Sequence, residues 1–260
     1  KGNVAGFDGH EYGGIAGFGF DIDEGLVVGL DLGYSSLMGN LLDGYGNERV
    51  NSLRGGPYVS YRNEQGWFID AAFGLAWNQF SYLRGNAALP GAGSVEGSTS
   101  GFQLDLALAG GYPIELGDCL VLTPQASFMY SYVNTSDYTE TKADPGSLFA
   151  FDVSPGDLSA LGGRVGANLA FTPLDDLVLA VEGGWQGNMA FNEMYSAVPV
   201  GGPVGMPLLP IDNTVFNTAY FGVGVSYQVE SNFSVSLNYS GLVGQGVTSN
   251  AVSGGVSIRF

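Results

Sequence analysis

The chain has 260 residues, 43 of them glycine, with 13% aromatic and only 13% charged residues, about half the roughly 25% charged share of ordinary soluble domains. Its 25 acidic against 8 basic residues leave a formal charge of −17, which excludes nucleic acid as a partner, since that requires basic patches. A surface so short of Lys and Glu is expected to meet lipid over part of its area.

The first alternating run, Glu11 to Asp21, sets Tyr12, Ala16, Phe18 and Phe20 against Gly13, Ile15, Gly17 and Gly19. That period of two marks a strand with differently solvated faces. After an Asp-Ile-Asp-Glu-Gly turn, Leu26, Val28, Leu30, Leu32 and Tyr34 alternate with Gly29, Asp31, Gly33 and Ser35, and Met38 to Arg49 reads as a Gly/Asn/Asp-rich loop. Ser52 to Arg62, the turn Asn63-Glu-Gln-Gly and Trp67 to Gln79 form the next pair. Beyond a Gly/Ala/Ser loop, Arg84 to Ser100, strands follow at Phe102 to Tyr112 and Leu120 to Val133, joined by the turn Glu115-Leu-Gly-Asp. A long polar loop, Asn134 to Asp157, leads to Ala160 to Phe171 and Leu177 to Gln186, and the longest loop, Gly187 to Val215, leads to Thr218 to Val229. In the last hairpin Phe233, Val235, Leu237 and Tyr239 alternate with serines and Asn238, and Val252, Gly254, Val256, Ile258 and Phe260 close the chain.

Short turns alternate strictly with long loops, so every strand pair reads as an antiparallel hairpin within one domain, residues 1–260. There is no apolar run of about 18 residues, hence no transmembrane helix, but a membrane-spanning barrel gives only weak signals strand by strand. The predicted fold is an all-β, closed, antiparallel up-and-down transmembrane β-barrel. Eleven runs are visible, and an even total of about twelve needs one more strand at or upstream of the N-terminus. Tyr34, Tyr61, Trp67, Trp77, Tyr112, Tyr132, Trp185 and Tyr227 fall near strand ends, as interfacial girdles require.

Charges cannot face hydrocarbon cheaply, so Asp31, Arg54, Arg62, Asp70, Asp105, Arg164, Glu182 and Arg259 are assigned to the lumen, to pair with one another or meet a ligand. Fourteen glycines share that face, Gly19, Gly29, Gly166 and Gly184 among them, and are expected to keep space open for water or an inserted segment. His10, between Asp8 and Glu11, is the one histidine available to a triad, and it reads as a polar strand-end residue. No enzyme activity is expected. Acids in the turns lack the spacing of a calcium loop, and Cys119 alone makes neither a disulfide nor a thiolate metal site, so no metal or cofactor is expected. Lys1-Gly-Asn-Val-Ala-Gly-Phe has no apolar signal-peptide core, as in an exported chain after cleavage or a fragment of a longer one.

The order of residues resembles the C-terminal translocator domain of autotransporters, the type V secreted proteins. Gly6-Phe-Asp, Gly17-Phe-Gly-Phe, Gly29-Leu-Asp-Leu-Gly-Tyr-Ser, Gly56-Pro-Tyr-Val-Ser-Tyr, Gly110-Gly-Tyr, Leu122-Thr-Pro-Gln-Ala, Leu161-Gly-Gly-Arg-Val-Gly and the terminal Phe260 carry the likeness. Trp185-Gln-Gly-Asn stands where the family often has His-Glu after the Trp, and neither the first strand nor a pore helix is recognisable. The resemblance implies a twelve-stranded outer-membrane barrel that delivers an N-terminal passenger to the bacterial cell surface. It implies a pore helix from the passenger side, and a terminal strand, with Val256, Ile258 and Phe260, read by the barrel-assembly machinery. The C-terminus would then be periplasmic and the long loops extracellular. A stand-alone outer-membrane porin or adhesin is the alternative. A porin would fold a long loop inward, for which Gly187 to Val215, with Met189, Met194, Val198, Val200, Met206, Leu208 and Leu209, is the candidate.

Overall fold

The computed structural model of the chain describes residues 7–41, 46–85, 93–144, 150–191, 194–199, 209–210, 214–244 and 247–259. Its strands are β1 (Phe7–Asp23), β2 (Leu26–Leu41), β3 (Gly46–Arg62), β4 (Phe68–Gly85), β5 (Ser94–Gly111) and β6 (Ile114–Gly117). Then come β7 (Leu120–Thr135), β8 (Tyr138–Thr139), β9 (Thr141–Lys142), β10 (Phe151–Pro155), β11 (Leu158–Leu174) and β12 (Leu177–Phe191). The rest are β13 (Met194–Pro199), β14 (Leu209–Pro210), β15 (Thr214–Glu230), β16 (Phe233–Gly244) and β17 (Val247–Ile258).

The eleven long strands pair in one curled antiparallel path, β1-β2-β3-β4-β5-β7-β11-β12-β15-β16-β17. Each pairs with its neighbours along the chain, as the hairpin reading predicts. Among the described residues β1 and β17 have no second neighbour. Tight turns close one end: at Gly25, φ 76°, the carbonyl accepts the Arg62 amide at 2.7 Å, and a side chain there would run into the Arg62 carbonyl. Only glycine meets both demands.

Two segments expected as loops are strand over most of their described residues: β2 and β3 run into Met38–Arg49, and β4 and β5 into Arg84–Ser100. Beyond the apolar band both sheet faces are wet, so hydrophobic alternation vanishes while the backbone ladder continues. The segment from Asn134 to Asp157 also holds structure: β9 pairs with β5, and β8, β10, β13 and β14 form a second, four-stranded sheet. Of the apolar residues expected in the longest loop, Met189 lies in β12. The side chains of Met194, Val198, Val200, Met206, Leu208 and Leu209 lie outside the described residues.

Among the described residues the buried hydrophobics are only Ala76, Val95, Ala150, Val153 and Tyr220. The large apolar side chains sit outside instead. Tyr34, Leu53, Trp77 and Phe102 are direct cross-strand partners forming one outward row over β2 to β5, and Tyr34 and Trp77 are 49% and 54% exposed. From Trp77 back to Ile69 the strand covers about 26 Å at ~3.3 Å per residue, close to the ~25 Å apolar band of outer-membrane barrels. A contiguous apolar belt of this height excludes water as its solvent.

Candidate functional site

The inner face is built from the residues that alternate with the belt. Ser52 Oγ donates to Asn78 Oδ1 at 2.5 Å, Asn78 Nδ2 to Gln103 Oε1 at 3.0 Å, and Gln103 Nε2 to both Asp105 oxygens at 2.9 and 3.0 Å. Ser131 Oγ closes on Asp105 Oδ1 from the other side at 2.5 Å. Every donor thus points toward one carboxylate across β3, β4, β5 and β7, and bonds ending on a charge are the strong kind. The relay holds its side chains against the wall. Beside it, Ser60 Oγ donates to Asp70 Oδ1 at 2.6 Å.

Further along the same wall, on β11 next to β7, Arg164 Nε donates to Gln186 Oε1 at 2.6 Å, and its guanidinium carbon stands 5.1 Å from the Tyr220 ring centroid. Tyr220 lies over Gly184, its direct partner on β12, and over Gly166, the next partner on β11. Tyr58 does the same over Gly29 and Gly19. At these four positions the glycines do not leave space open, as expected from sequence; they make room for a neighbour's ring.

Of the eight charges assigned to the lumen, Asp70, Asp105 and Arg164 are held by the neutral partners just named. Glu182 lies over Gly222, Arg54 over Gly33, and Asp31 beside Gly17. Arg62 is stacked 5.6 Å from the Phe68 centroid. Arg259 is exposed beyond β17, its amide bonded to the Asn232 carbonyl at 2.8 Å. Among the described residues none of the eight forms an ion pair with another; the salt bridge present is Arg84–Glu140, at the loop end. No two opposite charges among the eight are direct cross-strand partners, Asp31 and Arg54 and likewise Arg62 and Asp70 being offset by two residues, and hydroxyls or an amide stand directly opposite Asp70, Asp105 and Arg164. Asn78, Gln103 and Gln186 were legible as inward by parity, but their partners depend on which residue stands opposite. Val256 and Ile258 point outward on β17, 68% and 52% exposed, and Phe260 lies outside the described residues.

A groove of about 540 Å³ runs along this wall, floored by Ala72, Ala107, Ala109 and Met129 and flanked by Asp70 and Arg164. His10 is exposed in β1, opposite Met38.

The autotransporter beta-domain family profile matches residues 1–240. Among solved structures, the translocator domain of autotransporter NalP from Neisseria meningitidis aligns with TM-score 0.78 and 15% identity, covering 100% of this chain and 83% of its own. The β-domain of the Bordetella autotransporter BrkA aligns at 0.68 and 18%, covering 98% and 91%. The transport unit of AIDA-I from Escherichia coli aligns at 0.66 and 16%, covering 98% and 84%. Comparison with curated protein sequences gives no significant match. At these identities the structural likeness speaks for the barrel fold, and the family match speaks for kinship. With an apolar belt outside and a polar, small-residue wall inside, the chain belongs to the autotransporter β-domain family of outer-membrane barrels.

Proposed function

We propose that this barrel anchors a longer protein in the outer membrane and carries an N-terminal passenger to the cell surface, with the loop end extracellular and the C-terminus periplasmic. The observation that carries the reading is the inner wall: its polar groups satisfy one another along the sheet, so a passing or resident segment meets a surface with few unmet hydrogen bonds. Twelve strands about 4.8 Å apart, tilted about 40°, enclose a backbone diameter of roughly 24 Å, room for one helix about 10 Å wide. A helix from the upstream segment, between the passenger and the barrel wall, fills that room. The assembly machinery reads the last strand, where Val256 and Ile258 face outward on an edge open to strand addition, together with the Phe260 that follows them in sequence.

The test is surface display. In cells making the complete protein, an epitope placed in the passenger, N-terminal to the pore helix, is expected to be reached by antibody and protease from outside. A passenger that stays protected while the barrel is assembled would overturn the reading. Deleting Phe260 is expected to lower the amount of assembled barrel in cells while leaving refolding in detergent nearly intact; equal losses in both make its role packing alone.

A further inference from the structure

The outward face does not end at the aromatic row. In register above Tyr34–Leu53–Trp77–Phe102 come Ser36–Asn51–Gln79–Ser100, then Met38–Arg49–Ser81–Ser98, then Asn40–Asn47–Leu83–Glu96. Thr141 extends the last of these as the partner of Glu96. Belt residues thus give way to amides and hydroxyls within a single row, and the next two rows add Met38, Arg49, Leu83 and Glu96 to them. Arg49 stands about 13 Å further along its strand than Leu53, at ~3.3 Å per residue, the depth at which lipid headgroups begin.

A cavity of about 760 Å³ opens on these rows. Its outward-facing lining includes Asn40, Asn47, Arg49, Asn51, Ser81 and Thr139. The Arg49 side chain is exposed and its guanidinium Nη2 rests 3.8 Å from Met38 Sδ. Among the described residues it pairs with no carboxylate. Glu48 and Glu96 also border the cavity, but Glu48 alternates with Arg49 onto the other face of β3, and Glu96 is two strands away, roughly 10 Å of sheet. An arginine surrounded by three asparagines and hydroxyls, on a chain of charge −17, is a local exception to the prevailing sign. Guanidinium recognises phosphate by paired hydrogen bonds, and amides and hydroxyls donate to and accept from sugar hydroxyls.

We infer that this outward cavity is a lipid site, in which Arg49 takes the phosphate of a phosphorylated sugar headgroup and Asn40, Asn47 and Asn51 take its hydroxyls. The sugar part rests on the extracellular placement of the loop end proposed above; the phosphate part does not. Bound lipid ties the β2 to β5 hairpins to the membrane surface just above the belt.

The experiment uses the complete protein folded in phosphatidylcholine nanodiscs, with retained lipid read by native mass spectrometry. Diphosphorylated lipid A is expected to be retained about tenfold over its dephosphorylated form, and Arg49→Gln to abolish that preference. Arg54→Gln, on the lumenal face, is expected to leave it unchanged. Ser81→Glu, which sets a negative charge directly opposite Arg49, should repeat the Arg49→Gln result should that variant not fold. Undiminished retention in a folded Arg49→Gln or Ser81→Glu protein overturns the site. A second pair of arms separates the sources of phosphate. Asn47→Ala with Asn51→Ala is expected to lower lipid A retention but not that of phosphatidic acid, and inorganic phosphate is expected not to displace lipid A. Equal loss of both lipids, or displacement by free phosphate, overturns the headgroup assignment and leaves a bare anion site.

Discussion

Two tyrosines show how single residues shape the inner wall. A Cβ at Gly29 would enter the Tyr58 ring and stand 2.5 Å from the Phe18 carbonyl, whereas one at Gly14 would meet nothing within 4 Å. Gly29→Ala is therefore expected to destabilise the folded barrel by about 1–3 kcal/mol, as overpacking does, and Gly14→Ala to change little. The denaturant midpoint of the detergent-folded protein measures both. Because the Phe18 carbonyl is also in the way, Tyr58→Ala should relieve only part of the Gly29→Ala loss; full relief means that the ring alone sets the constraint. Asp157, between β10 and β11, makes a different prediction. Hydrogen bonds from Asn134 Nδ2 at 2.7 Å and from the Tyr132 hydroxyl hold its carboxyl below the ordinary range. With the folded value depressed, their contribution is whole above the unfolded-state value and is lost as pH falls through the folded one. Protection from hydrogen exchange over residues 150–157, measured against the intrinsic rate at each pH, should fall on that acid limb, and Asn134→Ala should move the onset to higher pH. An unmoved onset removes Asn134 as the cause.

At the scale of elements the segment between β7 and β11 is latched to the wall. Glu140, 4% exposed, takes Arg84 Nε at 3.1 Å and Nη2 at 2.7 Å, accepts the Phe151 amide at 3.0 Å, and donates its own amide to the Phe151 carbonyl at 2.8 Å. The Arg84 guanidinium carbon lies 4.9 Å from the Phe151 centroid. Breaking a fully buried pair costs about 3–5 kcal/mol, but the Arg84 side chain is 37% exposed, so about 2 kcal/mol is the reasonable figure here. Glu140→Ala is expected to speed exchange over residues 138–155 roughly 30-fold while the barrel's own unfolding midpoint stays put. A midpoint that falls with it makes the latch part of the barrel core. None of this was legible in the sequence, where Asn134 to Asp157 reads as polar loop, because its strands are only two to five residues long and bury single residues such as Val153. The eleven long strands were legible, since the belt demands an apolar residue at every second position from Ile69 to Trp77 and in the corresponding stretch of each neighbour. Their ends were not, for the same reason: outside the belt nothing selects one face over the other. Among candidate site residues, parity sets Arg164 and Asp105 on the polar face together with Gln186 and Gln103, but it does not say which of them meet, because that depends on the register between strands.

For the whole molecule the decisive feature is the direction of its two edges. β1 and β17 are the first and last of eleven antiparallel strands, so they run the same way, and direct closure would need a parallel pair within an otherwise antiparallel wall. One added strand restores antiparallel pairing on both sides. Both edges are also long: β1 has 17 residues and β17 has 12, and open edges of that length pair with other chains unless covered. A segment upstream of Phe7 that supplies a strand of about 10 residues, enough to cross the membrane tilted, answers both demands. The prediction is that the protein extended upstream by such a segment refolds in detergent into a barrel whose gel mobility changes on heating, while residues 1–260 alone remain heat-unmodifiable or associate through their edges. A 260-residue chain that folds by itself into a heat-modifiable barrel, as stable as the extended one, would show that the eleven strands close directly.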